Sequence, residues 1–175
     1  RLTKDWLEKW CKTPANMAEL MCQHSVETTV EPNPAVIDPK VIIGRVLTVR
    51  PHPEAQKLQI TTVTIGAESE LEIVCGCPSV KEGMVVPVAT IGSRLPGGKI
   101  KQSKLRGVTS AGMLCSLQDL GLAEKSNGLY PMPETAPIAM SFADYIGQSK
   151  ELFDFEITPN RGDCFSVLGV AREIA

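Results

Sequence analysis

Residues 41–115 form a succession of short β-branched runs, and nothing between them is long or periodic enough to make a helix of any length. The runs fall at 41–49, 58–65, 71–75, 84–89 and 113–115, each bounded by Gly, Pro or Ser. Val, Ile and Thr dominate them, and these side chains suit a pleated, half-buried surface, so five strands are expected. Five short strands with a turn signal at each gap close into a small barrel or pack as a small sandwich. The missing helices argue against a parallel βαβ sheet.

Both flanks have a different texture. Thr3 can cap a helix that places Trp6 and Trp10 four apart on one face, and a second short helix starts at Thr13-Pro14 and runs through Met17, Leu20 and Met21. A proline-rich turn spans Pro32-Asn33-Pro34 to Pro39. After the barrel region, Ser116 caps one helical turn to Leu120, 128–131 and 151–157 read as strands, and Asp163 or Ser166 starts a last helix through Val167, Val170, Ala171 and Ile174. Neither flank is large enough to bury a core alone. The organisation expected is therefore mainly β with flanking helices (α+β). A five-stranded barrel at 40–147 is inserted in a truncated, discontinuous α+β domain made of 1–39 and 148–175. A first residue that is Arg and an end inside a helical pattern read as a piece of a longer chain.

Charge by segment is more informative than the net value of -2. Residues 40–107 hold ten Lys or Arg against five acidic residues (Glu54, Glu68, Glu70, Glu72, Glu82), whereas both flanks are acidic. A basic island of this kind suits a phosphate backbone. Lys99, Lys101, Lys104 and Arg106 crowd eight residues with Ile100 and Leu105 between them, so an extended chain would expose the cations and turn the apolar residues in. Arg45, Arg50 and Lys57 extend the same surface, and the competing reading of any such cluster is plain solubilising charge. A barrel of the oligonucleotide-binding (OB) kind fits the strand count. From residue 11 to residue 129 there is no Phe, Tyr or Trp, so bases cannot stack on aromatic platforms. Single-stranded DNA binding is disfavoured, and a structured RNA held by phosphate and shape is favoured, with Arg or His52 stacking on a stray base.

Catalytic chemistry finds no support. The two histidines, His24 and His52, lie in no Ser/His/Asp or Cys/His context. In Gly92-Ser93-Arg94-Leu95-Pro96-Gly97-Gly98-Lys99-Ile100 the phosphate-loop spacing fails, because Gly98 stands where lysine is required. The six cysteines are dispersed in apolar contexts and read as reduced, mostly buried thiols rather than metal ligands. Arg161-Gly162-Asp163 is read as a coincidental match to an adhesion motif, with Asn160 and Asp163 fixing a turn. No run of about 18 apolar residues is present, so a membrane span is not expected and a cytoplasmic location is.

Five strings carry a resemblance: His52-Pro53-Glu54-Ala55-Gln56-Lys57-Leu58, Ile73-Val74-Cys75-Gly76-Cys77-Pro78, Leu95-Pro96-Gly97-Gly98-Lys99-Ile100-Lys101, Lys104-Leu105-Arg106-Gly107, and Ser110-Ala111-Gly112-Met113-Leu114-Cys115-Ser116. In order and spacing they resemble the tRNA-binding OB domain family, which occurs free-standing, in methionyl-tRNA synthetases, in EMAP-like cytokines and near the N-terminus of bacterial phenylalanyl-tRNA synthetase β subunits. The flanking Asp5-Trp6-Leu7-Glu8-Lys9-Trp10 and Ile157-Thr158-Pro159-Asn160-Arg161-Gly162-Asp163-Cys164 are similar to the last of these. Glu54 and Gln56 stand where the family usually has Asn and Asp. The resemblance implies a non-catalytic region of an α2β2 ligase that charges tRNA(Phe), using ATP and magnesium bound elsewhere, with the synthetase α subunit as partner. Arg45, Arg50, His52, Lys57, Lys99, Lys101, Lys104, Arg106 and Ser110 are the RNA-contact candidates. A structural domain with little RNA affinity and a free-standing tRNA-binding protein are the alternatives.

Overall fold

The computed structural model describes residues 1–33, 36–66 and 70–175, and the chain divides into two units, Arg1–Val36 with Gly147–Ala175, and Ile37–Ile146. Pro34 of the expected turn and Glu68 of the acidic count lie outside the described residues. In chain order the elements are β1 (Leu2–Thr3), α1 (Lys4–Leu7), α2 (Met17–His24), β2 (Glu27–Pro32), β3 (Val41–His52), β4 (Ala55–Thr64), β5 (Glu70–Cys75) and β6 (Val85–Thr90). There follow β7 (Arg94–Leu95), β8 (Gly98–Lys99), β9 (Ser103–Leu105), β10 (Val108–Ser110), β11 (Gly112–Leu114), α3 (Phe142–Tyr145), β12 (Glu151–Glu156) and α4 (Val167–Ile174). No helix among the described residues is long and apolar enough to cross a membrane.

The discontinuous unit is a three-stranded antiparallel sheet in the order β1-β12-β2 with helices against it. Along β12, Phe153 and Phe155 alternate inward with the period of a strand and join Leu7, Met17, Met21, Val26 and Val170 in one core. The Thr3 hydroxyl accepts from the Trp6 N–H at 3.3 Å, as expected of a cap, but α1 ends after one turn. Trp6 and Trp10 are consequently both exposed. The second helix begins at Met17 rather than Pro14, whose carbonyl instead accepts from the Met17 N–H in the preceding turn. Met17 and Met21, one helical turn apart, are its buried face. Strand β2 is absent from the sequence reading, because its outward Glu and Thr residues mask the single buried Thr28. At the far end Ser166 is the cap of α4, accepting from the Gly169 N–H at 3.0 Å, while Asp163 sits in a preceding 3-10 turn.

Residues Ile37–Ile146 form a nearly closed antiparallel barrel in the strand order β11-β6-β3-β4-β5. Strand β3 is long enough to serve two neighbours, pairing with β6 through its first half and β4 through its second, and it bends at an irregularity between Val46 and Thr48. The open edges approach each other where the Ala111 N–H reaches the Glu72 carbonyl at 2.9 Å and the Val74 N–H reaches the Ser110 hydroxyl at 3.1 Å. This is the five-stranded OB arrangement expected from the sequence. Strand β6 is buried along almost its whole length, which explains its unbroken Val-Val-Pro-Val-Ala run. Gly44 is required at the bend: a Cβ there would lie 2.7 Å from Val88 Cγ2 and 3.1 Å from the Thr64 carbonyl oxygen. One end of the barrel is plugged by Phe142 of α3, packed edge-on to Tyr130 with centroids 6.0 Å apart. The strand expected at 128–131 does not form. Tyr130 and Met132 instead donate single backbone hydrogen bonds to Cys115 and Val85, and their side chains cover the core.

Candidate nucleic-acid interface

The chain between β6 and β11 is an arm of two small hairpins, β7–β8 and β9–β10, rather than one extended segment. Leu105 pairs with Val108, so only Arg106 and Gly107 turn the second hairpin, and both have positive φ, 44° and 88°. Two left-handed residues in a two-residue loop match the twist of the strands they join. The geometry places a non-glycine residue in a region it rarely occupies and sets the Arg106 guanidinium at the hairpin tip. Lys99, Lys101, Lys104 and Arg106 are all exposed, and among the described residues none has a carboxylate within ion-pairing distance. Ile100 packs against the barrel core as expected, whereas Leu105 stays 40% exposed. The β9 register puts Leu105 beside the turn, beyond the core's reach.

The other candidates divide differently. Lys57 is exposed on β4 without an ion-pair partner among the described residues. Arg50 on β3 is paired with Glu72 of β5, across the intervening β4, and Arg45 donates to the Glu134 carbonyl at 2.9 Å. His52 is buried, with Nδ1 accepting from the Glu54 N–H at 3.1 Å and Nε2 lying 3.1 Å from the Leu105 carbonyl. Those partners require the proton on Nε2, and the ring has no face left to stack on a base. Ser110 is buried as well, accepting from the Val74 N–H and donating to the Gly112 carbonyl at 3.0 Å. Both residues position the arm: His52 ties its outer hairpin to the β3–β4 bend, and Ser110 ties its root to β5.

Beside the arm lies a cleft of about 580 Å3, walled on one side by Ile100, Lys101 and Leu105 and on the other by segment 116–129. Its floor includes Cys75, Met113 and Leu114. Asp119 lines it and is fixed by Ser116, whose N–H and hydroxyl both reach Oδ2, at 2.8 and 2.6 Å, while the Asp119 N–H returns to the Ser116 hydroxyl. Ser116 is the expected cap, and Asp119, not among the expected site residues, is its partner; the Ser-x-x-Asp spacing is the sequence signal for it. Cys77 also lines the cleft. Burial raises its thiol's pKa, but hydrogen bonds from the Ser79 hydroxyl and N–H and from the Leu129 N–H outweigh burial and draw it below the ordinary thiol value.

No cysteine is bonded to another, and three of six (Cys75, Cys115, Cys164) are buried, fewer than the sequence reading expected. Cys22 is exposed because it lies on the solvent side of α2. The described residues contain one group with metal-type donors, Asp163, Cys164 and Glu173. Arg161 already occupies it, bonding to Asp163 at 3.0 Å and Glu173 at 2.7 Å. A magnesium ion would have to displace that guanidinium, so the group does not fit one.

The family model described as "Putative tRNA binding domain" matches residues 41–141, the barrel together with its arm. The chain belongs to the tRNA-binding domain family. Relatives of this tRNA-binding domain chain include the phenylalanine–tRNA ligase beta subunits of Acinetobacter baylyi, 42% identical over 179 residues, and of Legionella pneumophila strain Lens, 44% identical over 179 residues. Each match covers 100% of this chain and 23% of the relative, so the chain spans under a quarter of the length of these curated proteins. Among solved structures, a methionyl-tRNA synthetase-related protein from Pyrococcus horikoshii is 26% identical, with a TM-score of 0.43, over 57% of this chain and 85% of that one.

Proposed function

We propose that this chain is the N-terminal tRNA-binding region of a phenylalanine–tRNA ligase β subunit, and that it holds tRNA(Phe) through phosphate and shape contacts without taking part in bond making. The observation that carries this reading is the arm, where four exposed cations stand in eight residues with no carboxylate paired to them among the described residues. Lys57 adds a fifth on the hairpin to which His52 fastens the arm. Arg45, Arg50, His52 and Ser110 belong to the scaffold in this reading. In the whole enzyme the α subunit of an α2β2 assembly, cytoplasmic like other translation enzymes, would carry out aminoacylation with ATP and magnesium. On this reading the cofactors are bound outside this region. The side chains that hold the arm and the cleft direct their hydrogen bonds to backbone groups: His52 accepts the Glu54 N–H and donates to the Leu105 carbonyl, Ser110 accepts the Val74 N–H, and Asp119 accepts the Ser116 N–H.

The test is the aminoacylation rate of the full-length enzyme with Lys99, Lys101, Lys104 and Arg106 replaced by Ala. A raised KM for tRNA with unchanged kcat supports the reading. An unchanged KM with a weakened tetramer would favour a bracing role for the barrel, which the internal ties of His52 and Ser110 also suit.

A further inference from the structure

Building on the tRNA-binding reading, we propose that the cleft between the arm and segment 116–129 receives one unpaired RNA base bearing an exocyclic amino group, with Asp119 as the acceptor. At about 580 Å3 the cleft is large enough for a nucleoside. The wall that carries Lys101 belongs to the cationic arm, so a phosphate held by Lys99, Lys101 or Lys104 would leave its own base at the cleft mouth. Ile100, Leu105, Met113 and Leu129 provide apolar surface for the faces of a base in a cleft lined by no aromatic side chain among the described residues, and Met sulfur suits a ring edge. Leu105 would also gain the cover it lacks.

Asp119 gives the cleft a preference. Ser116 takes Oδ2, and no hydrogen bond among the described residues reaches Oδ1. A carboxylate oxygen attracts an amine edge such as cytosine N4 and repels a carbonyl edge such as uracil O4. It also turns phosphate away, so the backbone is left to the arm and only the base enters. An acidic protein segment, the competing occupant for a basic arm, is disfavoured by the same carboxylate.

The experiment compares oligo-C, oligo-U and a blunt RNA duplex of equal phosphate count on the full-length protein, by anisotropy and by alkylation of Cys77, which lines the cleft. The proposal expects oligo-C to bind roughly 5-fold or more tightly than oligo-U, the lower end of what one good base contact gives. It expects oligo-C to slow Cys77 alkylation while the duplex does not. Asp119→Asn keeps an oxygen for the Ser116 cap and should bring the two affinities together with oligo-U unchanged. Equal affinities with Cys77 unprotected, or equal protection by a polyglutamate peptide, would overturn the proposal. If tRNA binding persists in that case, the tRNA-binding reading survives it; if no RNA binds at low salt, both fall.

Discussion

The imidazole of His52 bridges two parts of the barrel unit, lying 3.1 Å from the Leu105 carbonyl on the arm while its other nitrogen accepts the Glu54 N–H. The β9–β10 hairpin has few other anchors: it pairs only with itself and is exposed apart from Val108 and Ser110. A buried ring thus anchors the outer hairpin of the arm, which carries Lys104 and Arg106.

Removing that ring takes one hydrogen bond from the Leu105 carbonyl and one from the Glu54 N–H. His52→Ala is expected to lower stability by about 1–3 kcal/mol, two hydrogen bonds at about 0.5–1.5 kcal/mol each. Urea denaturation gives the stability. The tRNA affinity of the folded variant should fall too, because the arm loses its fixed position. Unchanged stability would contradict the assigned role.

At the barrel bend, Gly44→Ala brings a Cβ to within 3.0 Å of Val63 Cγ1 and closer to Val88. Overpacking of this kind is expected to cost about 1–3 kcal/mol. Gly97→Ala, at a β7–β8 turn position with open space around it, should change stability by less than about 0.5 kcal/mol. Thermal melts of the two variants side by side separate a packing requirement from a generic loss of glycine.

The five barrel strands were legible because alternating and continuous burial both favour β-branched residues, and the turns between them carry Gly and Pro. The arm was not legible as hairpins, since Arg106 occupies a left-handed position that sequence rules reserve for Gly or Asn. The cationic residues of the site could be read directly from charge density. The burial of His52 and Ser110 could not be read, because polarity in a sequence does not distinguish a side chain facing solvent from one satisfied by backbone across the fold. Asp119 was hidden for the opposite reason: it becomes interesting only beside a cleft whose other wall lies about 15 to 20 residues earlier in the chain.

The ion pairs of Arg161 are expected to make the discontinuous unit acid-sensitive. Its hydrogen bonds lower Asp163 from 3.8 to about 2, and Ser25 followed by Arg161 lowers Glu173. Because both folded-state values are depressed, the stabilisation is fully present above the ordinary carboxylate range and is lost as pH falls through the folded values. Stability should therefore drop toward pH 2, and Arg161→Met should flatten that limb in a series of denaturant melts. An equally steep limb in the variant would place the acid sensitivity elsewhere.

The thiols are expected to react in a set order. Burial pushes Cys115 up to about 12, so it stays protonated and sheltered, while Cys77 is partly exposed and drawn below the ordinary value. Peptide-level mass spectrometry after brief iodoacetamide treatment should find Cys77 and the exposed Cys22 modified and Cys115 intact until the protein unfolds. Early modification of Cys115 would contradict the packing described around it.

The central claim is that the arm binds phosphate, and a salt titration of tRNA affinity tests it most directly. For the full-length protein, log K should fall against log salt with a slope of roughly -2 to -4, as expected for about three to five neutralised phosphates. Replacing Lys99, Lys101, Lys104 and Arg106 with Ala should flatten that slope and weaken binding to any tRNA alike. A slope and affinity unchanged by the four substitutions would contradict the account.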